Sequence, residues 1–547
     1  MAVVGGCLGG ACGRGVMSSG EAGADGTSVP DGTPAAFALL ASPSVPVGTP
    51  FPVTVMAVDA SGGPATQYTG TVSLASTDSR ATLDAALTFT AVDAGRRTVM
   101  VTLVSPGPQR LEAVDEAGLR GASVGWNVDG VRFLAADAYG QHMCGVLLSG
   151  GVRCWGANDS GQLGLGDRLT RLGRDAAGVE LPAVDLGAGR TVASLSLGRY
   201  HSCAVLDDGA VKCWGDNSYG ELGVGDFYTR GDAPGAMGVA LPTASFGTGR
   251  AVRSVSVGPE GTCVLLDTGA VKCLGNNDAG ELGVGDTVLR GGAGASLGDA
   301  LPAVALGVGR TAVQISHGGF HVCAVLDTRQ VKCWGENKDG QLGLGDTEPR
   351  GQVPATLGDG LPGVALGTGR TAVALQGGSN HTCAVLDDGA VKCWGDNASG
   401  QLGLGDTLKR GAAPGQMGDA LPAVALGAGR TAAALAVGLT HTCVSLDDGA
   451  VKCWGNNARG ALGVGDTAPR GVAPQQMGDA LPTVALGSAG VVRSLALGAS
   501  FGCVLRDAGQ VKCWGANEGG QLGLGDTLSR GDGPASLGDA LPASAVW

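Results

Sequence analysis

The chain has 547 residues, of which 101 are glycine and 16% are charged, and its formal net charge is −13. This length predicts two or more folding units, and the short apolar runs between glycines favour β-strands over long helices. The acidic balance argues against nucleic acid or anionic lipid as a partner, because clustered Lys and Arg bind both. No run of about 18 apolar residues indicates a membrane-spanning helix.

Residues 1–32 predict a leader or flexible tether. Val4, Gly5 and Gly6 before Cys7 resemble a bacterial lipobox, whose cysteine is lipidated, and a Gly- and Ser-rich stretch follows. The segment MAVVGGCLGG lacks the basic residues and the long apolar run of a complete signal peptide, as a truncated lipoprotein signal would. Two interpretations stay open: lipidation of Cys7, the one route to a membrane, or a disordered leader with two unpaired cysteines.

Residues 33–127 predict a β-sandwich. Residues 50–58, 70–76 and 97–104 alternate apolar and polar side chains, and turn residues separate them. The segment VDASGGPATQYTGTVSLASTD, residues 58–78, resembles bacterial immunoglobulin-like modules. That resemblance implies a spacer domain in a surface protein.

Residues 128–547 repeat with a period of 59 or 60 residues. Each of the seven repeats contains four strand candidates, which predicts the blades of a seven-bladed β-propeller and an all-β chain. The final segment, residues 541–547, aligns with the first strand candidate of a repeat, residues 181–187. We therefore expect it to pair into the blade of Cys144 and Cys154 and to close the ring.

Each repeat contains two cysteines separated by nine residues. Asp207, Asp208 and Gly209 form a three-residue turn, so Cys203 and Cys213 face each other across a hairpin and can be bridged. Zinc is the alternative use, but its structural sites favour spacings such as C-x2-C. Seven bridges predict an oxidising location, extracellular or in the cell envelope. The predicted pairs are Cys144–Cys154, Cys203–Cys213, Cys263–Cys273, Cys323–Cys333, Cys383–Cys393, Cys443–Cys453 and Cys503–Cys513.

The segment HTCAVLDDGAVKCWGDNASGQLGLGDT, residues 381–407, resembles the repeat of the regulator of chromosome condensation family. The resemblance recurs seven times over about 415 residues, and it implies a seven-bladed propeller. The best-known member of that family exchanges nucleotide on a small nuclear GTPase and docks on chromatin. The paired cysteines and the acidic charge of this chain depart from that member, and fold alone does not transfer its activity.

Most recurring polar residues have structural interpretations. One position holds His142, His201, His321, His381 and His441, and symmetry distributes these histidines over different blades, so we expect buried hydrogen-bonding roles. The repeated tryptophans, such as Trp394, suit packing between blades. No Ser/His/Asp arrangement, nucleotide-binding loop or clustered metal site is evident, and we predict no catalysis, no cofactor and no metal.

The loop tips vary among otherwise similar repeats, and variable exposed loops are where binding specificity resides. Drift without function is the competing interpretation. Exposed aromatic residues are frequent anchors at interfaces. The predicted binding residues are Tyr200, Tyr219, Phe320, Asp278, Lys338, Arg459 and Glu518.

Three functions follow as hypotheses. The first is an exported or cell-surface, non-catalytic binding protein whose propeller loops engage a protein or a glycan. The second is a propeller-type protein inhibitor of an enzyme. The third is nucleotide exchange on a small GTPase, which would require a cytosolic location despite the cysteine pairs.

Overall fold

The computed structural model describes residues 33–547 except 41–43, 47–50, 84–85, 106, 123–125, 174–179, 293–295, 488–490, 507–508 and 545–547, so Cys7 lies outside the described residues. The chain divides into two compact units between Gly130 and Val131. Every regular element in the described ranges is a strand or a short 3-10 turn, and the predicted all-β class is confirmed.

The N-terminal unit contains ten strands in its described part. They are β1 (Ala36–Leu40), β2 (Ser44–Pro46), β3 (Phe51–Val58), β4 (Thr71–Ser76), β5 (Leu87–Thr88), β6 (Arg96–Val101), β7 (Gly107–Gln109), β8 (Leu111–Asp115), β9 (Arg120–Ala122) and β10 (Trp126–Asp129), with a 3-10 turn at Ala91–Asp93. The predicted domain boundary after residue 127 falls inside β10.

Three small sheets form this unit: β1-β3-β6, β5-β4-β8-β9 and β2-β10-β7. Residues of β3 alternate between buried and accessible positions, as a strand with one face on a core requires. The core includes four aromatic rings, those of Phe37, Phe51, Tyr68 and Phe89. Tyr68 makes edge-on contacts with both Phe37 and Phe89 at centroid distances of 5.4 and 5.3 Å. The immunoglobulin-like assignment stays a prediction.

The C-terminal unit is a seven-bladed propeller, as predicted; each blade has three regular antiparallel strands, and blade 2 has a short fourth strand as well. Blades 1 to 3 consist of β11 (Val131–Ala135), β12 (His142–Leu147), β13 (Val152–Gly156); β14 (Val192–Leu197), β15 (His201–Leu206), β16 (Val211–Gly215), with β17 (Thr243–Ala244); and β18 (Val252–Val257), β19 (Gly261–Leu266), β20 (Val271–Gly275). Blades 4 to 7 consist of β21 (Ala312–His317), β22 (His321–Leu326), β23 (Val331–Gly335); β24 (Ala372–Gly377), β25 (His381–Leu386), β26 (Val391–Gly395); β27 (Ala432–Val437), β28 (His441–Leu446), β29 (Val451–Gly455); and β30 (Val492–Leu497), β31 (Phe501–Arg506), β32 (Val511–Gly515).

Short 3-10 turns follow the third strands of the blades. They lie at Gly238–Ala240, Gly298–Ala300, Pro354–Thr356, Gly358–Gly360, Gly418–Ala420, Gly478–Ala480, Pro534–Ser536 and Gly538–Ala540.

The hairpin of the second and third strands has the predicted register. Cys203 pairs directly with Cys213, and Gly209 adopts the left-handed conformation (φ 79°) that the three-residue turn requires. All seven predicted disulfides are formed, each with a Cα–Cα distance of 4.1 Å. The cysteines are buried and form part of the cores between blades.

The predicted pairing of the final segment, residues 541–547, is wrong, and so is the assignment of its counterpart, residues 181–187, to the start of a blade. Residues 181–186 return along the hairpin that precedes them, and Val184 N–H donates to Val152 O at 2.8 Å, so this outer segment belongs to blade 1. Likewise Ser544 N–H donates to Val511 O at 2.9 Å within blade 7. The described part of the final segment therefore completes its own blade and does not pair with the blade of Cys144 and Cys154.

The ring closes through the same side-chain and backbone contacts that join internal blades. Trp214 of blade 2 donates its indole N–H to Gln162 O of blade 1 at 2.9 Å, and Trp155 of blade 1 donates to Gln521 O of blade 7 at 2.9 Å. The core is divided into seven clusters, each between two neighbouring blades, including the pair 7 and 1. Apolar burial between blades therefore stabilises the whole ring.

Candidate functional site

One end of the propeller, called the loop face below, is formed by the loops between first and second strands and the loops after third strands. Backbone bonds join the two loop types within a blade: Asp216 N–H donates to Tyr200 O at 2.9 Å, and Glu336 N–H donates to Phe320 O at 2.8 Å. Because all seven predicted binding residues lie in these loops, they share this face.

A cleft of about 560 Å³ opens on the loop face at blades 2, 3 and 4. Two half-buried aromatic residues from different blades line it, together with an exposed acidic and an exposed basic side chain. These are four of the seven predicted binding residues: Tyr219, Phe320, Asp278 and Lys338.

The other three predicted residues lie outside this cleft. Tyr200 is 36% exposed, and the guanidinium of Arg199 stacks on its ring at 4.8 Å. Arg459 and Glu518 are exposed and form an ion pair of 2.7 Å with each other. The structure therefore brings together four residues and distributes three elsewhere on the same face.

Three further carboxyl groups line the cleft, and none of them is among the predicted binding residues: Glu260, Glu281 and Glu336. Glu260 accepts a hydrogen bond from the Asn276 amide at 2.8 Å, and Glu336 pairs with Lys338 at 3.0 Å. The available signal was at position 281, where four other repeats have glutamine: Gln162, Gln341, Gln401 and Gln521.

Glu281 lies at the buried base of the cleft and is 2% exposed. Its Oε2 accepts from the Ala279 N–H at 2.8 Å, while Oε1 has no hydrogen-bond partner among the described residues. Burial, reinforced by the negative charges of Asp278 and Glu260, raises the pKa of Glu281 to about 7. The negative charge of Glu260 is also the largest cause that raises the pKa of Tyr219.

The repeat histidines have structural roles at blade interfaces. His381 Nε2 lies 3.1 Å from the Thr442 hydroxyl of the next blade, and that hydroxyl donates to Gln401 O at 3.0 Å. The histidine therefore donates Nε2–H to the hydroxyl oxygen. Equivalent contacts join His142 to Ser202, His201 to Thr262 and His321 to Thr382. Burial lowers the pKa of each of these four histidines to about 3.

Blade 3 lacks this histidine, and a neighbouring residue takes its place. Gly261 occupies the repeat position, and a Cβ at Gly261 would lie 3.0 Å from the His317 ring of blade 4. The hydroxyl partner is absent as well, because Val322 occupies the position at which four other blades have Ser or Thr. Blade 3 also has Leu274 in place of the repeat tryptophan.

The repeat tryptophans are buried as expected, and each of the six donates its indole N–H to a carbonyl of the preceding blade. The turn asparagines are also structural: Asn397 Oδ1 accepts from Leu402 N–H at 3.0 Å, and its amide donates to Asp406 O at 2.8 Å. Asp406 pairs with Arg410 at 2.7 Å. These groups hold the loop and are not available to a ligand.

A second, smaller cavity of about 200 Å³ follows the propeller axis and is lined by the first strands. The Tyr139 hydroxyl of blade 1 donates to the Ser379 hydroxyl of blade 5 at 2.6 Å. Buried Asp137 and His317 line this cavity; burial raises the pKa of Asp137 to about 7 and lowers that of His317 to about 4.

No three His, Cys, Asp or Glu side chains in the described ranges are grouped closely enough to hold a metal ion. Among those same residues, no helix has the length and apolar character needed to cross a membrane.

Comparison with known proteins identifies the family. Residues 122–489 match the RCC1-like domain, and residues 492–521 match the regulator of chromosome condensation (RCC1) repeat. The chain belongs to the RCC1-like domain family. Its repeats and its seven-bladed ring are thus those of an RCC1-like propeller.

Two relatives and one solved structure illustrate the breadth of this family. The ultraviolet-B receptor UVR8 of Arabidopsis thaliana is 31% identical over 342 residues, 62% of this RCC1-like chain and 69% of that protein. The X-linked retinitis pigmentosa GTPase regulator homolog of Caenorhabditis elegans is 26% identical over 59% of this chain and 23% of that protein. Yeast RCC1 (Prp20), crystallised bound to Kap60, has 20% identity and a TM-score of 0.53 over 70% of this chain and 82% of that chain. That structural likeness supports the fold alone.

Proposed function

We propose that this RCC1-like chain is an exported, non-catalytic binding protein that engages a protein partner through its loop face, centred on the cleft at blades 2, 3 and 4. The observation that carries the proposal is the convergence of Tyr219 and Phe320 with charged side chains in one open cleft. Aromatic residues beside polar groups are typical of protein interfaces.

The polar groups outside the cleft favour binding over catalysis. The repeat histidines, asparagines and loop aspartates are already engaged in contacts within or between blades. A general acid or base must be within reach of a substrate, and His381 is fully buried. The relatives include a receptor and a GTPase regulator homolog by name, so the family accommodates binding and regulation.

Partner capture tests the proposed surface. The double variant Tyr219→Ala/Phe320→Ala should weaken binding of a partner isolated with the wild-type protein by tenfold or more, because aromatic anchors often contribute about 2 kcal/mol each. Arg459→Ala/Glu518→Ala, on another part of the loop face, is the matched variant, and Tyr200→Ala tests the predicted residue outside the cleft. Undiminished affinity of the Tyr219/Phe320 variant, measured by biolayer interferometry with purified partner, would contradict the proposal.

Location in an oxidising compartment is proposed from the seven disulfides. Protein recovered from its native compartment, denatured without reductant, should have none of the fourteen repeat cysteines reactive to a thiol reagent. Lipidation of Cys7 would appear in the same sample as an added acyl mass on an N-terminal peptide. Fourteen reactive thiols would contradict export and would favour a cytosolic regulator, such as an exchange factor for a small GTPase.

A further inference from the structure

Position 281 differs chemically from the glutamine that occupies it in four other blades, whereas blade 2 also has a glutamate there, Glu221. In blade 5, Gln401 Oε1 accepts from the Ser399 N–H at 2.8 Å, and its amide donates to Asp396 at 2.8 Å. In blade 3, Glu281 keeps the equivalent contact to the Ala279 N–H but has no amide to donate, and Oε1 is buried without a partner among the described residues. A buried oxygen without a hydrogen-bond partner destabilises the folded protein. A ligand that donates a hydrogen bond to Glu281 Oε1 would remove this cost.

The surroundings of Glu281 are acidic. Four carboxyl groups line the cleft, and Lys338, which already pairs with Glu336, is the one basic side chain that lines it among the described residues. The carboxyl groups are spread along the cleft, and within the described part of the chain no set of them converges on one metal ion. A single large cation therefore fits this site better than a metal ion.

The aromatic walls of the cleft also favour a cationic ligand. Tyr219 and Phe320 are half-buried and contribute ring surface to the cleft. Aromatic faces attract ammonium and guanidinium groups, and carboxylates form charge-assisted hydrogen bonds with them. We infer that the cleft binds the cationic group of an arginine or lysine side chain presented by a protein partner, with Glu281 as its counter-charge, an inference that rests on the proposed function.

The pH dependence of binding follows from the groups around Glu281. Glu260, Asp278, Glu336, Lys338 and Tyr219 face the same cleft, and no histidine among the described residues lines it. Because the pKa of Glu281 is raised to about 7, the ionised fraction increases about tenfold between pH 6 and pH 8. A cation should bind the ionised form, so its affinity should rise about tenfold over that range and a proton should be released.

The experiment measures binding of N-acetyl-arginine amide by ligand-observed NMR at low ionic strength, with N-acetyl-citrulline amide as the neutral isostere. Wild-type protein should prefer arginine by about tenfold at pH 8. Glu281→Gln should abolish both this preference and its pH dependence. Glu221→Gln is the matched control, because Glu221 occupies the same repeat position in blade 2, has a pKa also raised to about 7, and does not line the cleft.

Glu281→Gln should fold, since glutamine is the residue of four other blades, and its thermal unfolding confirms this in the same samples. Equal binding of arginine and citrulline by wild type would overturn the inference, as would an unchanged preference in Glu281→Gln or an equal loss in Glu221→Gln. Each of these outcomes leaves the proposed function standing if the Tyr219/Phe320 variant still loses its partner. Retained partner binding by that variant would instead remove the proposed function.

Discussion

Blade 5 keeps the recurring side chains of the repeat, whereas blade 3 replaces three of them. Between blades 5 and 6, His381 bonds Thr442 and Trp454 donates to Gln401 O. Blade 3 replaces the histidine, the tryptophan and the glutamine of the repeat with Gly261, Leu274 and Glu281. The cleft is lined by residues of blades 2, 3 and 4, and Glu281 of blade 3 lies at its buried base.

This difference suggests where the fold tolerates a functional site. Binding sites often contain groups that are poorly satisfied in the free protein, and the surrounding structure compensates for them. In this propeller the remaining interfaces of a closed ring keep their tryptophan or histidine contacts, so one irregular blade is held by its neighbours. In the proposed site, the regular blades act as scaffold, and the irregular blade supplies the buried carboxyl group of Glu281.

We expect the largest effect on the stability of the propeller from acidification, because its histidines are buried as neutral groups. The pKa values of all six histidines are lowered to about 3 or 4, below the ordinary 6.5, so the unfolded chain binds more protons below pH 6.5. The contribution of these histidines to the free energy of unfolding is fully present above pH 6.5. It decreases by several kcal/mol as the pH drops toward 4. The raised pKa values of Asp137, Glu221 and Glu281 oppose this, since those groups bind protons in the folded state.

The six histidines outnumber these three carboxyl groups, so the unfolding temperature should be lower at pH 4.5 than at pH 7. Calorimetry at the two pH values measures it. An unfolding temperature that rises on acidification would mean that the histidines are not buried as neutral groups.

Trp394→Ala should be the most damaging single substitution in the regular blades. The indole is fully buried and donates to Gln341 O at 3.0 Å, so its loss should cost about 3–5 kcal/mol in the free energy of unfolding. Leu274→Ala, at the same position of blade 3, removes fewer atoms and no hydrogen bond, and it should cost less. Urea unfolding compares the two, with exposed Val373→Ala as control. Equal costs would remove the contrast between the blades.

Thr442→Val removes the hydroxyl that His381 contacts at the interface between blades 5 and 6. It leaves the His381 Nε2–H buried without an acceptor, which should cost about 1–3 kcal/mol. Val322→Thr, the reverse change between blades 3 and 4, should cost less, because Glu281 O is placed to accept its hydroxyl as Gln341 O accepts that of Thr382. The same urea measurement distinguishes them, and a smaller cost for Thr442→Val would contradict the assigned hydrogen-bond direction.

Much of the fold was accessible from the sequence because two strong local constraints coincide. The turn at Gly209 and the nine-residue cysteine spacing fix one register, and that register is observed. The outer segment was predicted in the wrong blade because an extended run such as residues 181–186 carries no signal for which neighbour it pairs with. Its partner is decided by the direction of the chain after β13.

The site was predicted less completely. Four of the cleft residues were recognisable from the sequence as variable loop tips: Tyr219, Asp278, Phe320 and Lys338. That they converge in one cleft could not be predicted, because this depends on the relative positions of three blades. Glu281 was not predicted because a change from Gln to Glu alters one atom type in an otherwise regular motif, and only burial makes that change costly. The His–hydroxyl pairs were not predicted because their members are 60 or 61 residues apart.

The smallest predicted effect is on the stability of the irregular blade. Glu281→Gln should raise the free energy of unfolding at pH 8 by about 1 kcal/mol or less, because the amide replaces a buried carboxylate. At pH 6, where the folded carboxyl is largely neutral, the gain should be smaller. Thermal unfolding at both pH values measures it, and destabilisation at pH 8 would mean that Glu281 has a stabilising contact in the free protein.

The junction of blades 7 and 1 is built like the junctions between the other blades. Gly525 N–H donates to Leu172 O at 2.7 Å there, as Gly166 N–H donates to Gly231 O at 2.9 Å between blades 1 and 2. In the described ranges, no strand exchanged between blades distinguishes this junction from any other. The ring therefore closes through the same kind of interface that joins its internal blades. A circular permutant cut at the turn of residues 387–389, between β25 and β26, should still form blade 5, because the Cys383–Cys393 disulfide joins these two strands. The order of the blades around the axis, and not the position of the cut, determines the architecture.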